Sequence, residues 1–215
     1  MTNPVLHGYW RSGAAYRVRI ALNMKQISYA QVSHDLRIGE QHDPSFLAIA
    51  PQGLVPALEI NGVIVSQSPA ILEWIEELWP APPLLPADAA GRAIVRAMGS
   101  LIGCDIHPLN NLRVLKALRH DLGADAAQVD AWIARWMGDG FTALETMVER
   151  HGGGFAYGSH PTFADCYLVP QLYSAERFGV DLSAYPKLVA AGARASALPE
   201  FQAAHPSVQP DVGPA

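Results

Sequence analysis

Arg11 and Ser12 stand where an apolar run gives way to a helical pattern. Val5–Tyr9 reads as a strand, and Val18, Ala21 and Leu22 share one face of a helix predicted over Ser12–Lys25. Between them Ser12-Gly13-Ala14-Ala15 is a turn of small residues. The first amides of a helix have no internal acceptor, and the aligned peptide dipoles place partial positive charge there. Such a site favours an anion: a phosphate, a carboxylate or a thiolate. Ser12 can cap the helix through its side-chain oxygen, and its hydroxyl can also donate to a bound anion. On the residues alone both readings stand.

The elements that must position this turn follow along the chain. Ser28–Ser33 reads as a second strand, and a short helix is expected around Pro44–Ala48. Val55–Val65 is two apolar runs joined by Asn61-Gly62, a strong hairpin signal, with Pro56 at a strand entry where a cis bond is expected. Ser66–Leu78 closes the region as a helix. The order β-α-β, loop, β-β-α is that of a thioredoxin-like half-domain. Pro80-Ala81-Pro82-Pro83-Leu84-Leu85-Pro86 cannot continue a helix and is expected to be extended. From Asp88 the pattern is helical: one long segment to about His120 with a kink at Pro108, a second over 126–150, a capping box at Thr162–Asp165, and a last helix from Pro186 to Ala197. The tail from Pro206 is expected to be extended. The fold class is thus α/β plus all-α, with domains at 1–80 and 88–215 and a linker at 81–87.

Composition sets bounds. Of 215 residues, 50% are hydrophobic and 16% charged, so a packed core is expected. A formal net charge of −5 argues against nucleic acid as a partner, which needs a basic face. No run approaches the roughly 18 apolar residues of a membrane span, and no secretory signal is visible. Cys104 and Cys166 have no CxxC or metal spacing, so no metal is expected. They read as buried, reduced thiols of a cytoplasmic protein.

Several stretches resemble one family in the right order: Arg11-Ser12 with Tyr16-Arg17-Val18-Arg19-Ile20-Ala21-Leu22, then Leu54-Val55-Pro56-Ala57-Leu58 and Gln67-Ser68-Pro69-Ala70-Ile71. Asp105-Ile106-His107-Pro108-Leu109-Asn110-Asn111, Thr162-x-x-Asp165 and Ala175-Glu176-Arg177-Phe178-x-Val180-Asp181-Leu182 complete the set. Together they resemble the zeta-class glutathione transferases, which include maleylacetoacetate and maleylpyruvate isomerases. The match covers nearly the whole chain. The Val-Pro and Gln-Ser motifs are shared by many glutathione transferases; the first loop, His-Pro-Leu-Asn-Asn and Glu-Arg-Phe are more specific. One departure is the loop, Ser-Ser-Cys-Ser in the family and Ser12-Gly13-Ala14-Ala15 here. The family cysteine therefore cannot act.

The resemblance implies a thioredoxin-like domain that binds glutathione as cofactor, a helical domain that binds substrate, and a homodimer. It implies Ser12 as the catalytic residue that steadies the thiolate, within the Ser12-Gly13-Ala14 loop. Lowering a thiol pKa by about two units takes roughly 2.7 kcal/mol, the order that a helix N-terminus and one hydroxyl supply. Val55, before Pro56, is expected to pair its backbone with the cysteinyl residue, and Gln67 and Ser68 to hold the γ-glutamyl carboxylate. His42, Gln52, His107 and Asn111 are candidates for the glycyl end. Arg11, Arg113 and Arg177 are expected on the carboxylates of a dicarboxylate substrate, since a guanidinium matches a carboxylate with a planar fork. Arg17 and Arg19 read as structural. The expected activity is isomerisation of maleylacetoacetate to fumarylacetoacetate in aromatic catabolism. Maleylpyruvate isomerisation, toward which the Gly-Ala-Ala loop leans, and generic conjugation of electrophiles are the alternatives.

Overall fold

The computed structural model describes residues 3–213. In chain order its elements are β1 (Val5–Gly8), α1 (Gly13–Met24), β2 (Ala30–Ser33), α2 (Pro44–Leu47), β3 (Ala57–Ile60), β4 (Val63–Ser66) and α3 (Ser68–Leu78). Then come α4 (Ala89–Ser100), α5 (Leu112–His120), α6 (Ala126–His151), α7 (Phe163–Arg177), α8 (Pro186–Ser196) and α9 (Pro199–Ala204). The contacts divide the chain into two compact units, Met1–Leu84 with Ala197–Ala215, and Leu85–Ser196.

The first unit is built on a sheet of order β2-β1-β3-β4. β1 runs parallel to β2, with Val5 opposite Ala30, and antiparallel to β3, with Leu6 opposite Leu58. β3 and β4 form the expected hairpin, with Asn61 at φ 52° and Gly62 at φ 79°. Two successive positive φ values give a turn whose twist matches that of the strands. This is the thioredoxin-like arrangement expected from the sequence, and the Val55–Pro56 bond is cis, as is Ala81–Pro82.

α1 departs from its one-faced pattern: every residue from Ala15 to Leu22 is buried, Arg17 and Arg19 included. It packs against α3 and α9 as well as lying with the sheet in one unit, so no face is left to water.

Two expectations change at the unit's boundary. The proline stretch is not a free connector up to residue 87. Lys25 Nζ donates to Glu76 at 2.5 Å and to the Pro82 carbonyl at 2.6 Å, and Leu84 N–H donates to both Glu76 oxygens at 3.1 Å. The buried Lys25–Glu76 pair thus fastens residues 82–84 to the first unit. Past the last expected helix the chain forms one more, α9, and the tail from Pro206, expected to be extended, begins with a 3₁₀ turn at Pro206–Val208; both group with the first unit. Arg19 Nε donates to the Ala204 carbonyl at 3.0 Å and Asn23 Nδ2 to the Glu200 carbonyl at 2.9 Å, tying α9 to α1.

The second unit is helical throughout. α4 does not merely kink at Pro108. It passes into π-helical turns over Leu101–Ile106 and then a 3₁₀ turn at Pro108–Asn110 before α5. Small residues permit the change of pitch: a Cβ on Gly99 or Gly103 would stand 3.0 or 3.2 Å from the Tyr167 ring. Cys104 lies on these turns and is exposed, contrary to the expected burial; Cys166 is buried in α7. The capping box of α7 is complete, with Thr162 N–H donating to Asp165 Oδ2 at 2.8 Å. Asp165 also accepts the Ala156 N–H at 2.8 Å. Burial pushes its carboxyl up to about 6 although these donors pull the other way.

Candidate functional site

In the first unit Ser12 is the N-cap of α1, and its Oγ accepts the Ala15 N–H at 3.2 Å. That bond uses one lone pair and leaves the hydroxyl hydrogen free to serve a ligand, so capping and anion binding are compatible. Ser12, Gly13 and Ala14 are all half-buried at the mouth of the helix. Ser12 N–H donates to the Tyr9 carbonyl at 3.0 Å, closing the turn.

A second helix start lies in the same unit. Gln67 is the N-cap of α3 with φ 72° and ψ 111°, a region a side-chain-bearing residue rarely enters, at a cost on the order of 1–3 kcal/mol. It turns its side chain to Gln52, Nε2 to Oε1 at 2.5 Å. Ser68, one residue on, is buried, and its Oγ accepts from Arg17 Nη1 at 3.2 Å. A buried guanidinium behind a buried hydroxyl at a helix N-terminus makes a positive, preorganised seat for a carboxylate.

Gln52 leads into Gly53, at φ 64°, where a Cβ would stand 2.9 Å from His42 Nδ1. Glycine there lets His42, exposed on its 3₁₀ turn, close on the same loop. Val55 packs its side chain against Phe46, Ala50 and Ala57, as expected of a residue whose backbone is its useful part. The first unit therefore gathers Gln52 with Gln67 and His42 with Gly53. Arg11, half-buried, stacks its guanidinium 5.0 Å from the Trp10 ring centre.

In the second unit His107 ends the π-helical turns. Asn111 is the N-cap of α5, its Oδ1 accepting the Arg113 N–H at 3.1 Å. Its amide hydrogens remain donors. Arg113 and Arg177 are both exposed, and Arg177 stacks 4.1 Å from the Phe178 ring centre.

These donor sets fit a ligand with carboxylates and a group to be held as an anion. Known proteins resemble the chain over nearly its whole length. A family model described as glutathione S-transferase, N-terminal domain, matches residues 6–83, and one described as its C-terminal domain matches residues 130–208. A maleylpyruvate isomerase of Ralstonia is 48% identical over 96% of this chain and 98% of its own. A maleylacetoacetate isomerase of Pseudomonas aeruginosa is 47% identical over the same shares. A maleylpyruvate isomerase structure described as a bacterial zeta-class glutathione transferase superposes with a TM-score of 0.95 at 47% identity, covering 97% of this chain and all of the other. The chain belongs to the zeta class of the glutathione S-transferase family. A maleylacetoacetate isomerase of Methylobacterium extorquens with bound malonate and glutathione superposes at 0.94 with 38% identity, covering 98% of this chain and all of the other.

In this zeta-class chain the burial of two charges on α1 was not read from the sequence. Arg17 and Arg19 read as structural charges on a helix. The structure buries both, Arg17 against Ser68 and Arg19 against the carbonyls of Tyr9 and Trp10, at 3.5 and 3.0 Å. The available signal was their company: Ala15 to Leu22 is apolar but for these two residues, and a charge in an all-round apolar helix must find buried partners.

Proposed function

We propose that this chain catalyses glutathione-dependent cis–trans isomerisation of a cis-enedione dicarboxylic acid, with maleylacetoacetate to fumarylacetoacetate as the leading reaction. Ser12 carries the reading: it opens α1 with its hydroxyl hydrogen uncommitted, so an anion there meets a donor and the helix dipole together. Maleylpyruvate is the second reading, favoured by the Ralstonia relative and the structure at a TM-score of 0.95.

The residues present suit glutathione. Ser68 and Gln67, with Arg17 behind, suit the γ-glutamyl carboxylate; the Val55 backbone suits the cysteinyl residue; His42, Gln52, His107 and Asn111 are proposed for the glycyl end. Glutathione, when bound, supplies a thiol that adds reversibly to the conjugated double bond, allows rotation about it and leaves unchanged. Ser12 holds that sulfur as the anion. Arg11, Arg113 and Arg177 orient the two carboxylates and offset charge that develops on the substrate's oxygens. With Ala14 where the family has cysteine, no side-chain thiol competes in the loop. The enzyme is further proposed to be a cytoplasmic homodimer of aromatic catabolism.

The test follows the enedione absorbance of maleylacetoacetate and maleylpyruvate with enzyme, with and without glutathione. Glutathione-dependent loss of one or both is expected. No acceleration of either refutes the proposal.

A further inference from the structure

The end of the chain reaches back to the catalytic turn, and we propose that Asp211 is a positioning residue for Ser12. The proposal rests on Ser12 as the group that holds the glutathione thiolate.

Tyr9 and Trp10 are the residues from which Arg11 and Ser12 are presented. Both polar groups of the Trp10 backbone are held. Its N–H donates to Asp211 Oδ2 at 2.9 Å, and its carbonyl accepts from Arg19 Nη2 at 3.0 Å. Arg19 is itself tied to α9 through the Ala204 carbonyl. The Tyr9 carbonyl takes the Ser12 N–H, so the clamp on Trp10 fixes the turn that aims the Ser12 hydroxyl. Anchors from residues 204–211 thus act on either side of one residue, two positions before Ser12.

Asp211 is held in turn. Its Oδ2 accepts the Ser33 hydroxyl of β2 at 2.5 Å. Gln209, buried, donates to the carbonyls of Ala203 and His205 at 3.0 and 2.9 Å and accepts from Gln31 Nε2 at 3.1 Å. An amide-to-carboxylate bond is about twice as strong as a neutral one, and thiolate stabilisation tolerates only about 0.5 Å of misplacement. Asp211 therefore sets catalytic geometry without touching glutathione or substrate.

Both Trp10 and Ser33 use the same oxygen of Asp211. Asparagine at this position would keep that oxygen as an amide carbonyl, so Asp211→Asn preserves the clamp and Asp211→Ala removes it. The bound thiol's pKa is read by titrating the ultraviolet thiolate absorbance of glutathione on each protein. Exchange of the Trp10 amide is followed in the free protein. For Asp211→Ala the bound thiol is expected to rise by about one unit, kcat near neutral pH to fall roughly tenfold, and Trp10 exchange to quicken. Binding of S-methylglutathione should stay within about twofold, because the thiolate contact is absent from it. Asp211→Asn, which keeps the acceptor as a weaker neutral one, should return every readout most of the way to wild type. Ser33→Ala, a mild surface change, should raise the thiol pKa in the same direction. It decides the matter if Asp211→Ala does not fold. A wild-type thiol pKa in Asp211→Ala, or in Ser33→Ala should that be the variant that folds, overturns the proposal, as does failure of Asp211→Asn to rescue. Ser12→Ala run alongside separates the two ideas. If it leaves the bound thiol unmoved, the Ser12 reading fails; if it moves the thiol and Asp211→Ala does not, only the role of Asp211 fails.

Discussion

Ser12 and Ser68 each accept a bond inside the protein, from Ala15 N–H and from Arg17 respectively. A hydroxyl oxygen that accepts still has a hydrogen to donate, and the proposed function assigns each of these hydrogens to a ligand anion. Removing the Ser12 hydroxyl should lower kcat about 10²-fold while glutathione affinity changes little, since the helix and the Ser68 seat remain. Steady-state kinetics with calorimetry on Ser12→Ala checks this split, and an unchanged kcat removes Ser12 from the mechanism. Arg17 acts at the other end. Arg17→Met keeps the volume but removes the buried charge behind Ser68, so glutathione should bind about tenfold more weakly, or about 1.4 kcal/mol. Calorimetry giving wild-type affinity would reduce Arg17 to packing. The role of Arg17 was not readable from residue type. A buried arginine and a surface one are the same letter, and only the partner at a separation of 51 residues distinguishes them.

At the scale of elements, local signals fared well. The start of α1, the Asn61-Gly62 hairpin and the Thr162–Asp165 box formed where expected because each is decided within a few residues. Asp165 also anchors α7 to residue 156, and its carboxyl is pushed up to about 6 by burial. A carboxyl raised from 3.8 in the unfolded chain favours the native state most when protonated. Its contribution is full below pH 3.8 and is lost as pH rises through about 6, a change of roughly 3 kcal/mol. Urea unfolding of wild type and Asp165→Ala from pH 4 to pH 7 should show their difference in stability shrinking by that order. A difference independent of pH would contradict it. The π-helical turns at Leu101–Ile106 were missed. Gly99 and Gly103 leave room there for the Tyr167 ring of α7, a contact that no pattern within α4 encodes.

For the whole molecule, glutathione that binds only the native state should stabilise it by about 2.7 kcal/mol at one hundred times its dissociation constant. A chain of this length should then melt roughly 5–10 °C higher, and cysteinylglycine, lacking the γ-glutamyl carboxylate, should give a much smaller shift. Thermal unfolding with each ligand checks this; equal shifts would argue against the Ser68 seat. Among the described residues no helix is long and apolar enough to cross a membrane. By itself the sequence determined the thioredoxin-like order, the helical remainder, the family and the serine at the first helix, because caps, turns and periodicity are local. Only the tertiary structure decided that α1 is buried on all sides, that α9 and the tail belong to the first unit, and that Asp211 meets Trp10 across 201 residues. Those contacts arise from the packing of distant segments, where a charged side chain finds its partner in space and leaves no trace in the spacing of its neighbours. The turn at Ser12 is thus written locally, and what holds it still is written at the other end of the chain.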